Sequence, residues 1–235
     1  MAADRPAGRD RPGVRRDRRS DRATRALAAL RDKAYNYDPD QADHFTTASG
    51  WPVVAYAQPL PPEPPGPPVP GGSFEVAQRL MRDYEFADPA IVRAVYAEES
   101  PFESRDMLLE GRFYGLRFQF GVRVGGLVDS ELAVDGRPVR RWGWNYRTLQ
   151  GHLEMGQMDY EVRKWLDSGE VDFRIHAVSR PAHIPNPVIR LGFRVFGRRV
   201  QRRFARHACL RMARLTAART GRPGPVGDPP AATSP

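Results

Sequence analysis

Residues 142–166 read WGWNYRTLQGHLEMGQMDYEVRKWL, and the alternation of large and polar side chains at both ends predicts two β-strands. Three aromatic residues share one face of the first strand, because side chains alternate across a sheet: Trp142, Trp144 and Tyr146. Residues 148–156 are the predicted loop, and residues 157–166 are the second strand. A turn at 167–169 (Asp-Ser-Gly) leads into a third strand over residues 170–179.

The same period of two is found upstream. After Arg105, large apolar residues occupy every second position: Tyr114, Leu116, Phe118, Phe120, Val122 and Val124. This alternation is typical of a half-buried antiparallel strand. Asp135-Gly136 between two apolar runs predicts a two-residue hairpin, because glycine accepts the positive φ of a type I′ turn.

Helical patterns flank these strands. An Ala- and Leu-rich segment ending at Lys33 predicts a short helix, and residues 51–57 predict a strand. Apolar residues recur at helical spacing over 73–84. Asp88-Pro89, a capping residue followed by proline, predicts a short helix over 88–96.

The last and longest predicted helix covers residues 187–219, with Asn186 as its cap and Pro187 at its first position. Its apolar stripe drifts around the axis, and arginines fill the remainder. A sheet with one apolar face needs a cover, and this helix is long enough to provide it. The predicted fold class is therefore α+β, a curved antiparallel sheet that grips a long C-terminal helix.

The chain divides into one domain and two tails. Residues 1–21 and 221–235 contain too few apolar side chains to offset their ordering entropy, so we expect disordered tails. Residues 22–220 form the predicted domain. Within it, the proline-rich segment 58–72 is expected to be a stiff, extended strap on the surface.

Composition narrows the function classes. The single cysteine, Cys209, excludes an intrachain disulfide, which indicates either a reducing compartment or indifference to redox, and we expect a cytoplasmic location. No stretch is long and apolar enough to span a membrane. Glycine patterns of nucleotide-binding loops and Cys/His spacing of zinc sites are absent, so we expect neither cofactor nor metal. The net charge of +9 is explained by a GC-rich bacterial genome or by an anionic partner.

Five runs carry a family resemblance: NYDP at 36–39, GGSFEVAQRLMRDYEFADP at 71–89, GWNYRTLQGHLEMGQMDYEV at 143–162, KWLDSGEVDFRIHAVSRPA at 164–182 and IPNPVIRLGFRVFGRR at 184–199. Together they resemble the bacterial and plant family called domain of unknown function nineteen-ninety, over residues 33–216. Many members carry Gly-Glu where this chain has Gly156-Gln157, so an acid-base role for that carboxylate is absent.

The resemblance implies no activity, because none is established for this family. The order of elements, however, is similar to that of the helix-grip fold of the START and birch-pollen-allergen superfamily. In that fold a cavity remains between the sheet and the helix. The resemblance therefore implies a pocket beneath the helix that begins at Pro187.

Polar residues concentrate beside the predicted loop. His152 is a candidate acid or base, because histidine titrates near neutrality, and Glu154 and Tyr146 are its candidate partners. Alternatively, His152 binds the loop backbone and fixes its shape. The candidate ligand-binding residues are Tyr114, Phe118, Phe120, Trp142, Trp144, Tyr146, Tyr160, Arg174 and His176.

Whether Arg174 and His176 can bind a ligand depends on which face of their strand they occupy. Arg174 and His176 alternate with Phe173, Ile175 and Ala177. If the apolar residues face the helix, then the two cations face solvent. If a bulge reverses the strand, they enter the pocket and bind a carboxylate or phosphate.

Three functions are compatible with these observations. The first is binding of a small hydrophobic or amphipathic molecule in the pocket. The second is an enzyme, such as a cyclase, dehydratase or hydrolase, that uses the same pocket. The third is binding of nucleic acid or an anionic membrane through the arginine-rich helix.

Overall fold

The computed structural model describes residues 18–113 and 116–224. Within them the main elements occur in this order: α1 (Arg18–Ala28), β1 (Val53–Leu60), α2 (Ser73–Arg82), β2 (Val92–Val95), β3 (Asp106–Phe113), β4 (Leu116–Val134), β5 (Arg137–Thr148), β6 (Glu154–Trp165), β7 (Val171–Pro181) and α3 (Pro187–Thr220). Short 3-10 turns lie at Pro39–His44 and Phe102–Ser104.

The strands form one antiparallel sheet in the order β1-β7-β6-β5-β4-β3-β2. A bulge between Val124 and Gly126 breaks the register of β4 with β5, and bulges add bend and twist to a sheet. α3 packs against β1, β7 and α2. The predicted class, a curved antiparallel sheet that grips the C-terminal helix, is confirmed.

Both predicted turns connect their strands as expected. Asp135 (φ 51°) and Gly136 (φ 77°) both have left-handed backbone, as a type I′ hairpin requires. Gly169 has φ of 80°, and a Cβ there would lie 1.9 Å from the carbonyl oxygen of Glu63. Glycine is therefore required at this turn both for its backbone and for the close approach of the strap.

Residues 88–96 do not form the predicted helix. The carbonyl of Asp88 accepts hydrogen bonds from Ile91 N and Val92 N, each 2.9 Å long, and this single turn goes no further. β2 follows and pairs with β3 at the sheet edge. The predicted helix is wrong because pairing with a neighbouring strand stabilises the β-branched valines more than the N-cap would stabilise a short helix.

α1 begins inside the predicted N-terminal tail and lies on the outer face of the sheet. Its neighbour Leu30 sits over Gly121, where a Cβ would lie 2.5 Å from the leucine methyl group. The Arg123 guanidinium donates to the Leu30 carbonyl at 3.0 Å. This hydrogen bond holds the segment after α1 against β4. Residues 1–17 and 225–235 of the predicted tails lie outside the described residues.

The proline-rich strap is held by a buried ion pair. Lys164 Nζ donates to Glu63 Oε2 at 2.7 Å and to the Pro67 carbonyl at 2.8 Å. Glu63 also accepts from Val69 N and Phe74 N. Both charged side chains are completely buried. The strap is thereby fixed to the end of β6 and to the start of α2.

We expect Glu63→Gln to lower the free energy of unfolding by about 3–5 kcal/mol, because it leaves the buried Lys164 charge uncompensated. Denaturant titration measures this loss. Glu75→Gln is the matched control, since the half-exposed Glu75 pairs with Arg79 at 3.8 Å and accepts from Gly71 N at 2.9 Å, a bond that glutamine can keep. Exposed pairs contribute at most about 1 kcal/mol. Equal losses in the two variants would contradict a structural role for the buried pair.

Candidate functional site

The inner face of the sheet, which faces α3, is lined by large buried side chains. They come from three adjacent strands: Trp142, Trp144 and Tyr146 on β5, Met158, Tyr160 and Val162 on β6, and Phe173, Ile175 and Ala177 on β7. The same core contains a buried set from α3: Phe204, Ala205, Ala208, Cys209 and Met212. The predicted aromatic face of β5 therefore lies on the inner side of the sheet, where Trp144 packs against Phe102 and Tyr84.

Three tyrosine hydroxyls meet in this apolar interior. Tyr84 Oη lies 3.4 Å from Tyr160 Oη. Tyr160 and Tyr146 donate to the sulfur of Met158 at 3.0 Å and 3.6 Å. Burial raises the pKa of all three phenols well above its ordinary value. They therefore stay protonated, and each carries a proton to donate to an acceptor.

The indole of Trp144 adds a fourth donor to this group. Its Nε1 is buried and has no acceptor within hydrogen-bonding distance among the residues described. The ring lies 5.1 Å from that of Tyr160. A buried donor without a partner costs about 1–3 kcal/mol. The interior therefore holds more donors than strong acceptors.

Sequence reasoning missed Tyr84 as a member of this cluster. Tyr84 shares the helical spacing of the residues before it, but α2 ends at Arg82 and Tyr84 has φ of 56°. This left-handed residue reverses the chain and directs the phenol against Tyr160, with the rings 6.2 Å apart. No sequence signal marks a tyrosine for this backbone conformation, which disfavours most side chains.

His152 lies between β5 and β6, where its ring is 4.8 Å from that of Phe120. Its Nδ1 lies 2.9 Å from Glu154 N and 3.0 Å from Glu154 O. This nitrogen is therefore bonded to the loop backbone, and Nε2 is the one left for other partners. Burial lowers the pKa of His152 to about 4, so the ring is neutral at physiological pH.

Glu154 begins β6 with a carboxyl group in an unusual setting. It has the same strand parity as Met158 and Tyr160, which places it on the inner face. No hydrogen bond or ion pair holds this carboxyl group in the described ranges. Burial raises its pKa to about 7, and its charge raises the pKa of Tyr146. At neutral pH it is therefore able to hold or release a proton.

Two phenylalanines of β4 lie near this end of the inner face. Phe118 and Phe120 stack with ring centroids 5.8 Å apart, and both are half-buried. Phe120 also packs against the central core. The predicted site residue Tyr114 lies outside the described residues.

Arg174 and His176 lie on the opposite face of the sheet from Trp144 and Tyr146. No bulge interrupts the pairing of β7 with β6, so the apolar residues between them face α3. Arg174 forms two hydrogen bonds of 3.0 Å with Asp172. His176 Nδ1 lies 3.0 Å from Asp159 Oδ2. The structure therefore separates these two predicted ligand-binding residues from the other candidates.

The described residues contain no group of three or more acidic, histidine or cysteine side chains placed to hold a metal ion. Within the same part of the chain, no helix is both long and apolar enough to cross a membrane. The chemistry of the inner face therefore comes from phenols, an indole and one carboxyl group.

A curved antiparallel sheet around a C-terminal helix, with a polar cluster between the two, defines a helix-grip protein. Within this class, the chain belongs to the DUF1990 family, a domain of unknown function, whose model matches residues 36–211. No curated protein matches the sequence.

Several solved structures are similar over most of the chain. TTHA0849 from Thermus thermophilus is 8% identical, with a TM-score of 0.43 over 71% of this chain and 98% of that one. Ara h 8.0201 is 10% identical, with a TM-score of 0.39 over 71% and 99%. A START superfamily protein from Mycobacterium smegmatis is 10% identical, with a TM-score of 0.36 over 72% and 97%.

We expect Glu154→Gln to stabilise the protein relative to wild type as the pH rises from 4.5 to 7. The raised pKa of Glu154 means that the unfolded chain releases this proton in that range while the folded chain keeps it, so wild-type stability falls. The difference between the two proteins grows by about 2 kcal/mol, measured by denaturant titration at several pH values.

The titration of His152 changes the stability of the wild-type protein with pH in the opposite direction. Its lowered pKa makes wild-type stability fall as the pH drops from 6.5 to 4, so only the difference between variants isolates Glu154. Glu154→Asp keeps a titrating carboxyl group and serves as the control. A Gln variant whose stability runs parallel to that of wild type across the range would contradict a raised pKa for Glu154.

Proposed function

We propose that the protein binds a small hydrophobic or amphipathic molecule between the inner face of the sheet and α3. The observation that carries this proposal is the surplus of buried donors. Trp144 Nε1 has no acceptor among the described residues, and the partners of the Tyr146 and Tyr160 phenols are the Met158 thioether and neighbouring phenols. An oxygen of a bound molecule would satisfy them.

The surroundings of these donors favour an apolar body for the ligand. Trp144, Tyr146 and Tyr160 present aromatic surface, and small ligand sites combine such surface with a few polar groups. Phe118 and Phe120 extend the apolar lining toward the end of the sheet at Glu154. The proposed ligand is therefore a largely apolar molecule with one or more acceptor oxygens, such as a carbonyl, ester or carboxylate.

A second candidate, an enzyme that uses the same space, is supported by Glu154. A carboxyl group with a pKa near 7 is matched to general acid-base chemistry at neutral pH. The backbone contacts of His152 favour a positioning role for the histidine. In this version, Glu154 transfers the proton, and Tyr146 binds an oxygen of the substrate.

The binding proposal is tested by native mass spectrometry of the purified full-length protein, followed by organic extraction. The extracted compound is then titrated into ligand-free protein, and tryptophan fluorescence reports the affinity. We expect Trp144→Phe to weaken binding about five- to ten-fold, the value of one hydrogen bond. Trp142→Phe, which alters the same strand face, is the matched control.

The results separate the candidates. The binding proposal would be contradicted if no compound is bound to the purified protein and 1-anilinonaphthalene-8-sulfonate shows no saturable binding. If wild-type protein also changes the mass of the extracted compound on incubation and Glu154→Gln does not, then the second candidate is supported. Equal weakening by both tryptophan variants would assign the effect to packing rather than to the indole N–H group.

A further inference from the structure

α3 is the most strongly charged element of the chain. Its 34 residues include ten arginines and no acidic residue. A helix rises about 1.5 Å per residue, so this charge is spread along roughly 50 Å. Concentrated charge of one sign creates a field that attracts an oppositely charged partner.

The arginines near the C-terminal end of α3 divide into two groups. Arg211 donates to the Glu85 carbonyl at 2.8 Å, and Arg219 binds the Glu85 carboxylate at 2.5 Å. These two attach the helix to the rest of the domain. The second group is exposed and makes no hydrogen bond or ion pair within the described residues: Arg199, Arg202, Arg203 and Arg214.

Three of these four exposed arginines, Arg199, Arg203 and Arg214, lie on one side of the helix. With 3.6 residues per turn, positions 199, 203, 210 and 214 fall within about 60° of one another. Residues 208, 209 and 212 are buried against the sheet on the opposite side. We call the solvent-facing set, Arg199, Arg203, Leu210 and Arg214, the outer face of α3.

An exposed leucine distinguishes this face from an ordinary solvated one. Among the described residues, the exposed large hydrophobic side chains are Leu127, Leu191 and Leu210. Leu210 is 38% exposed. On the helical wheel it lies about 20° from Arg199 and about 20° from Arg203. An apolar side chain and cationic side chains therefore share one face.

We propose that the outer face of α3 docks on an anionic phospholipid bilayer. Arginine guanidinium groups bind lipid phosphates, and the exposed Leu210 gains free energy by entering the acyl boundary. Duplex nucleic acid would satisfy the arginines equally well, but it offers no apolar partner for Leu210. The proposal concerns the side of α3 that faces away from the sheet, and it does not depend on the ligand proposed above.

The test is co-sedimentation of the full-length protein with vesicles of phosphatidylcholine alone or mixed with phosphatidylglycerol. We expect binding only to the anionic vesicles, and weaker binding at high salt. Each basic residue near an anionic leaflet contributes about 1 kcal/mol, or roughly five-fold. The double variant Arg199→Gln/Arg203→Gln is therefore expected to bind about 30-fold more weakly.

The matched control is Arg31→Gln/Arg117→Gln, which removes the same charge from two exposed positions on other elements. We expect it to keep wild-type binding within about two-fold, which separates a local face from net charge. Leu210→Ser is expected to weaken binding several-fold without changing its salt dependence. Circular dichroism and thermal unfolding verify that each variant is folded.

Three results would overturn the proposal. The first is no binding of wild-type protein to the anionic vesicles. The second is equal loss in the two arginine double variants, which would assign binding to overall charge. The third is tight binding to duplex DNA that Leu210→Ser leaves unchanged, which would make nucleic acid the partner.

Discussion

Strand register is the constraint on which the inner face depends. Trp144 pairs with Tyr160, Tyr160 with Ile175, and Ile175 with Tyr56, so one row of large side chains crosses four strands toward α3. A slip of one residue would exchange this row for charged neighbours such as Glu161. Burying such charges costs free energy, which disfavours any shifted register.

That register also gathers groups that are distant in the sequence. It brings Tyr146 and Tyr160 to the sulfur of Met158, and the turn after α2 adds Tyr84. A core built only for stability would satisfy or remove such polar atoms. The unpartnered indole N–H group of Trp144 and the half-buried carboxyl group of Glu154 therefore support the ligand site proposed above.

The strap and the C-terminal end of α3 are both fixed by specific contacts, and Arg222, just after the helix, donates to the Pro62 carbonyl of the strap at 3.2 Å. Glu63 and Lys164 fix the strap to the end of β6, while Arg211 and Arg219 fix the end of α3 beside α2. Gln201, in the middle of α3, donates to Ser179 of β7 at 3.1 Å.

Alternation and turn chemistry in the sequence determined β4 to β7, their hairpins, and the helix that covers them, because these signals are local. The aromatic face of β5 followed from the same period of two. Whether residues 88–96 form a helix or a strand was decided only in the tertiary structure, since a strand needs a partner strand. The same holds for Tyr84, Glu154 and the buried Glu63–Lys164 pair. Their environments are set by residues far away in the chain, and no local pattern encodes burial or a missing hydrogen-bond partner.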